Sequence, residues 1–189
     1  MAPTTSTNGF ILAGGQSRRM GQDKAALKWG ETSLLEHMVQ LLSTVTTSVR
    51  IVGRGDLPDR IPGKGPIGGI LTGLESTDKA VNLFVAVDLP LLAADFLRLF
   101  HSRSLACEKP LLACRISGEY PLCLGIQHKL KSEVARRVES DQLSVRALIE
   151  ESNPEILEEH ELRNLGFDCG MFANLNTPEE WQKHLRNWS

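Results

Sequence analysis

A chain of 189 residues, 41% hydrophobic and 23% charged, is long enough to bury a core of its own and reads as one globular domain. Its formal net charge of -2 supplies no overall basic field, which argues against a nucleic-acid coat protein. No apolar run approaches the roughly 20 residues that a membrane-spanning helix needs, so neither nucleic acid nor membrane is an expected partner.

The start, MAPTTSTNG, lacks the basic and long apolar parts of a secretory signal. Residues 1–8 are therefore expected to form a short disordered tail, and 9–189 a single domain in the cytoplasm. FILAG reads as a short apolar strand. In SLLEHMVQLLSTV, residues Leu34, Leu35, Met38, Leu41, Leu42 and Val45 recur at helical spacing, and Ser33 with Glu36 three residues on makes a capping box. VRIVG is the next strand, and GPIGGILTGLEST is a glycine-rich turn running into a helix. NLFVAVDLPLL holds the strongest buried strand, Leu83 to Val87, ending at Asp88 and Pro90. AADFLRLFHSR predicts a helix, KPLLACRI and YPLCLGIQ two strands, and KLKSEVARRVES and LSVRALIEE two more helices. Asn153 and Pro154 break the chain. MFANLN is then expected as a last strand and TPEEWQKHLRNW as a last helix, with Thr177 as N-cap and Pro178 in the first turn. Strands alternating with helices predict an α/β fold with a mostly parallel sheet covered on both faces, in which ligands bind beyond the carboxyl ends of the strands.

The loop after the first strand, in ILAGGQSRRMGQDKAAL, is one such place. Gly14 and Gly15 lack a Cβ, so the backbone there is free to turn successive N–H groups inward as an anion cradle. Arg18, Arg19 and Lys24 add cationic donors suited to phosphate. The plainer alternative is a glycine-rich turn followed by a solvated basic patch. The spacing is neither the G-x-G-x-x-G of dinucleotide folds nor the G-x-x-x-x-G-K-[ST] of P-loops. Asp88, directly after an apolar strand, is either a turn residue before Pro90 or a carboxylate able to hold Mg2+ beside phosphate oxygens.

LAGGQSRRMGQDK, from Leu12 to Lys24, resembles the signature L-A-G-G-x-S-x-R-M-G-x-D-K of the molybdenum cofactor guanylyltransferases, with every fixed position present. PDRIPGKGPIGGI resembles that family's aspartate-containing segment, which implies that Asp59 contacts the guanine nucleotide. VAVDLPLL resembles the strand ending in C-D-x-P-F-L, which implies Asp88 as the Mg2+ ligand. YPLCLGIQ and FANLNTPEEW are similar to two further segments, the second lying near the pterin side of the site. The resemblance runs from Phe10 to about Trp181. The chain departs from the pattern at Val87 and Leu91, and it has Gly53 and Arg54 where the family often carries an asparagine.

The resemblance implies a three-layer α/β/α, Rossmann-like fold of nucleotidyltransferase type and transfer of GMP from GTP to the phosphate of metal-loaded molybdopterin, releasing pyrophosphate. Two anions must then meet, and preorganised positive charge is the remedy. Leu12, Ala13, Gly14 and Gly15 are expected to hold the nucleotide, with Asp59 on the nucleoside. Arg19 and Lys24 are expected to neutralise charge at the α-phosphate and leaving group, and Asp88 to hold Mg2+. Asn174 and Asn176, alternating on the last expected strand, either cap the following helix or face the acceptor. The competing readings are a cytidylyltransferase or sugar-phosphate nucleotidyltransferase of the same fold, and a non-catalytic nucleotide-binding protein. Retention of Lys24 and Asp88 favours an enzyme. Transient contacts with cofactor-synthesis proteins and molybdoenzyme apoproteins are also expected.

The remaining features read as structural. His37, His101, His128, His160 and His184 show no metal-ligand spacing and are expected at surfaces or helix flanks. Cys107, Cys114, Cys123 and Cys169 form no C-x-x-C pair, so they are expected as free thiols, the alternative being that Cys114 and Cys123 meet across adjacent strands.

Overall fold

The computed structural model describes residues 6–14, 24–55 and 57–174. In chain order these form β1 (Asn8–Leu12), a 3-10 turn (Lys24–Ala26), a small hairpin of β2 (Lys28–Trp29) and β3 (Thr32–Ser33), α1 (Leu34–Ser43), β4 (Ser48–Val52), α2 (Gly65–Glu75), β5 (Val81–Ala86) and α3 (Ala94–Ala106). Then follow β6 (Leu111–Arg115), β7 (Cys123–Gln127), α4 (Lys131–Glu139), α5 (Val145–Glu151), β8 (Glu155–Glu158), α6 (Glu159–Asn164) and a second 3-10 turn (Cys169–Phe172).

The main sheet has the order β4-β1-β5-β7-β6-β8. β1 runs parallel to both β4 and β5, β7 is antiparallel to β5 and β6, and β8 is parallel to β6. Every strand of this sheet except β7 therefore points the same way, and the carboxyl ends of β1, β4 and β5 share one edge.

Alternation along the strands divides the core in two. Ile11, Leu83 and Val85 face Leu34, Met38 and Leu42 of α1 and Phe96, Leu97 and Phe100 of α3. Phe10, Leu12 and Phe84 face α2, α4 and α5 through Ile67, Ile70, Leu74, Val134, Val138, Leu148 and Ile149. Three layers result. The α1 start is the expected capping box: Ser33 Oγ accepts the Glu36 N–H, and the Glu36 carboxylate accepts the Ser33 N–H at 2.8 Å. The antiparallel register of β6 on β7 places Cys114 opposite Cys123, and both are buried free thiols.

The carboxyl-terminal part differs from the sequence expectation. No described residue of MFANLN is a strand: Cys169–Phe172 is a 3-10 turn, started by the Asp168 carboxylate accepting the Gly170 N–H at 2.8 Å and anchored by Phe172 edge-on to Phe96. The sheet edge is instead taken by β8, whose Leu157 is buried, followed by a capping box on Glu158 and Glu161 that starts α6. Asn174 is not in a strand, and Asn176 lies outside the described residues. At the other end, Thr7 is buried and Asn8 already belongs to β1, so the ordered fold begins before residue 9. The expected last helix from Thr177 lies outside the described residues.

Candidate active site

Two backbone hydrogen bonds lace the ends of three strands together. The Ala13 N–H donates to the Val52 carbonyl at the end of β4 at 3.0 Å, and the Val87 N–H donates to the Leu12 carbonyl at 3.2 Å. Gly14 and Asp88, each the next residue onward, therefore emerge at the same edge. Leu12 and Ala13 are buried, Gly14 is exposed and Asp88 half-buried. The turn after Asp88 is held by the buried Leu89 and by His37 of α1, whose Nε2 bonds the Pro90 carbonyl at 2.9 Å while its ring lies against Trp29. His37 is thus half-buried on α1 and tied to the site, and His101, on α3, is half-buried against the Thr7 hydroxyl.

The β4 end supplies the second wall. Gly53 has φ 86°, a region that L side chains avoid, and a Cβ built on it would fall on the Gly14 α-carbon. The turn closes through Gly53 N–H to the Leu57 carbonyl at 2.9 Å and Leu57 N–H to the Arg54 carbonyl at 3.2 Å. Two residues on, an Asp59 carboxylate oxygen lies 2.8 Å from the point that a Cβ on Gly14 would occupy. The Arg60 N–H, donating to Thr72 Oγ1 at 3.1 Å, fixes this segment to α2. Partial burial pushes the Asp59 carboxyl above the usual aspartate range. Arg54 closes the wall by donating its Nε–H to the Ala13 carbonyl at 2.9 Å.

The structure thus brings Leu12, Ala13, Gly14, Asp59 and Asp88 to one edge. Gly15, Arg18, Arg19, the Lys24 side chain and Asn176 lie outside the described residues. The Lys24 backbone opens the 3-10 turn that leads back to α1, where the Leu34 N–H donates to the Leu27 carbonyl at 2.8 Å. Asn174 is exposed beyond the second 3-10 turn. Arg54 and His37 went unrecognised as site-shaping residues because their partners are 41 and 53 residues away. Among the described residues no group of three His, Cys, Asp or Glu side chains is placed to hold a metal ion, and no helix is long and apolar enough to cross a membrane. A hard cation taking one carboxylate from the protein and its other oxygens from phosphate and water is the kind this donor set fits.

A mixed, mostly parallel sheet with a glycine turn and two aspartates gathered at its carboxyl edge is that of an α/β protein that takes its ligand beyond the strand ends. Residues 9–156 match the MobA-like NTP transferase domain, and the chain belongs to that family. It is 32% identical over 188 residues to a molybdenum cofactor guanylyltransferase of Xanthomonas euvesicatoria pv. vesicatoria, covering 93% of this chain and 92% of that protein. Its fold is similar to that of molybdopterin-guanine dinucleotide biosynthesis protein A from Archaeoglobus fulgidus, with a TM-score of 0.81, 18% identity, and coverage of 96% of this chain and 100% of that one. A Mycobacterium tuberculosis protein crystallised in complex with manganese shares the fold at a TM-score of 0.64 and 15% identity, over 96% of this chain and 99% of that one.

Proposed function

We propose that this chain transfers GMP from GTP to the terminal phosphate of metal-loaded molybdopterin, forming the guanine dinucleotide cofactor and releasing pyrophosphate. The observation that carries the reading is the Asp59 carboxylate lying against Gly14, near the start of the family's signature loop. Guanine offers two adjacent donors, N1–H and the 2-amino group, and a carboxylate accepts both at once. Cytosine, adenine and uracil offer no such pair.

In the reaction an acceptor phosphate oxygen forms a bond to the α-phosphorus of GTP, the bond to the bridging oxygen of the β-phosphate breaks, and pyrophosphate leaves. The Ala13, Gly14 and Gly15 backbone, with Leu12 behind it, holds base and triphosphate. Arg19 and Lys24 balance charge at the α-phosphate and on the leaving group. Asp88 would hold Mg2+, which when bound draws the phosphate oxygens together and lowers their mutual repulsion. The pterin is assigned to the other half of the same edge, where a cavity of about 340 Å³ opens among Arg115, Ser117, Glu158 and His160, with Asn174 and Asn176 as acceptor-side candidates. The setting is the cytoplasm, where the product passes to molybdoenzyme apoproteins through transient contacts that include other cofactor-synthesis proteins.

The test is pyrophosphate release by the purified chain with Mg2+ and metal-loaded molybdopterin, with GTP, CTP, ATP and UTP in parallel. Release with GTP alone is expected. Release mainly with CTP would transfer the protein to the cytosine-specific enzymes, and binding of GTP without release would leave a nucleotide-binding protein.

A further inference from the structure

We infer that Arg54 is a positioning residue that sets base selection, by occupying the Ala13 carbonyl and so leaving Asp59 as the acceptor facing the base. The inference rests on the reading above, that Asp59 takes the nucleoside. Ala13 is held on both sides of its α-carbon: its N–H by the Val52 carbonyl at 3.0 Å, and its carbonyl by Arg54 Nε at 2.9 Å. Arg54 itself sits in the turn that Gly53 and Leu57 close, and Gly53 bears directly on the Gly14 α-carbon. One side chain therefore locks the first loop to the β4 loop at the point where the Asp59 carboxylate meets Gly14.

Two consequences follow from elementary hydrogen-bond chemistry. A carbonyl left free at the mouth of a nucleotide site accepts an amino N–H from cytosine or adenine as readily as from guanine, so it lowers discrimination. A carbonyl that already accepts a guanidinium N–H keeps one lone pair, crowded by the arginine, and is the weaker acceptor for a base, so the choice falls mainly to Asp59, whose two oxygens suit two adjacent donors. The Arg54 guanidinium reaches the carbonyl through Nε.

The experiment compares full-length wild type with Arg54→Ala and Arg54→Lys, measuring GTP and CTP affinity by calorimetry without acceptor, kcat and KM for each nucleotide, and thermal stability. Loss of one charge-assisted hydrogen bond in Arg54→Ala should weaken GTP binding on the order of tenfold and lower the GTP-to-CTP ratio of kcat/KM by a similar factor. The effect should fall on KM rather than kcat, and Arg54→Lys, whose ammonium also donates to the carbonyl, should recover most of the ratio. An unchanged ratio in Arg54→Ala overturns the inference. So does a parallel fall in kcat and melting temperature at constant KM, which marks a purely structural residue. If wild type prefers another base, the proposed function fails by itself, and a shift of that preference in Arg54→Ala still upholds the role of Arg54. If wild type binds no nucleotide, both fall.

Discussion

Asp59 and Asp88 reach the carboxyl edge by different routes, and their surroundings assign them different tests. Asp59 leans on Gly14, and partial burial raises its carboxyl pKa. A carboxylate must be ionised to accept two base donors. Because its pKa in the folded protein lies above the ordinary value of about 3.9, protonation competes with guanine at a higher pH than for a solvated aspartate. GTP affinity, measured by calorimetry between about pH 4 and pH 7, should therefore fall on acidification in wild type. Asp59→Asn should bind weakly at every pH, without that extra dependence. A wild-type profile matching that of Asp59→Asn would remove Asp59 from the base site. Asp88 lies two residues beyond β5, where the Val87 N–H bonds the Leu12 carbonyl at the end of β1. Asp88→Ala and Lys24→Ala should each lower pyrophosphate release by about 10²-fold or more, the cost of a contact aimed at developing charge. Retention of wild-type rates in both variants, with the fold intact by circular dichroism, would refute the proposed mechanism.

The α1 helix shows how a short sequence signal becomes a measurable stability term. Ser33 and Glu36 close a reciprocal cap, and Ser33→Ala should lower the melting temperature by about 2–4 °C. The Ser33 backbone N–H, then its hydroxyl, holds the Glu36 carboxyl below its usual range. A folded-state pKa below the unfolded one means that the stabilisation is present above the unfolded pKa and is lost as pH falls through the folded one. The difference in melting temperature between wild type and Glu36→Ala should thus close on acidification, and a constant difference would show that the cap does not depend on charge. That cap was legible because its two residues are three apart. β1 and β5 were legible for a similar reason, being apolar runs ended by glycine or aspartate. β8 was not: Glu155–Glu158 has two apolar residues between glutamates, and it becomes a strand by pairing with β6. MFANLN misled because buried Met171 and Phe172 look strand-like, whereas the Asp168 cap turns them into a 3-10 turn. In the site, Gly14 and Asp88 could be read because each follows a strand. The Arg54 bond to Ala13 could not, since nothing in VGRGD points back across 41 residues to β1.

At the scale of the whole molecule, one sheet carries both halves of the core, so neither half can be lost without exposing the other face of the same strands. Leu83 and Val85 bury one side of β5 while Phe84, stacked on Phe10 at 4.8 Å, buries the other. The four cysteines report on this coupling because all are buried free thiols. Cys114 and Cys123 lie on central strands, the Cys123 thiol pushed up to about 12 by burial and Cys114 also well above its usual value. Cys107 lies after α3, and Cys169 lies in the second 3-10 turn. Burial raises the pKa of both of these thiols as well. Thiolate is the reactive form, so at neutral pH the native chain should react with an aromatic disulfide reagent only through opening of the fold. In a denaturant series, exposure of all four thiols should coincide with loss of the far-ultraviolet dichroism in a single transition. Thiols that react while the dichroism is intact would instead mean that the edge formed by β8, α6 and the second 3-10 turn opens separately from the strands that carry Gly14 and Asp88.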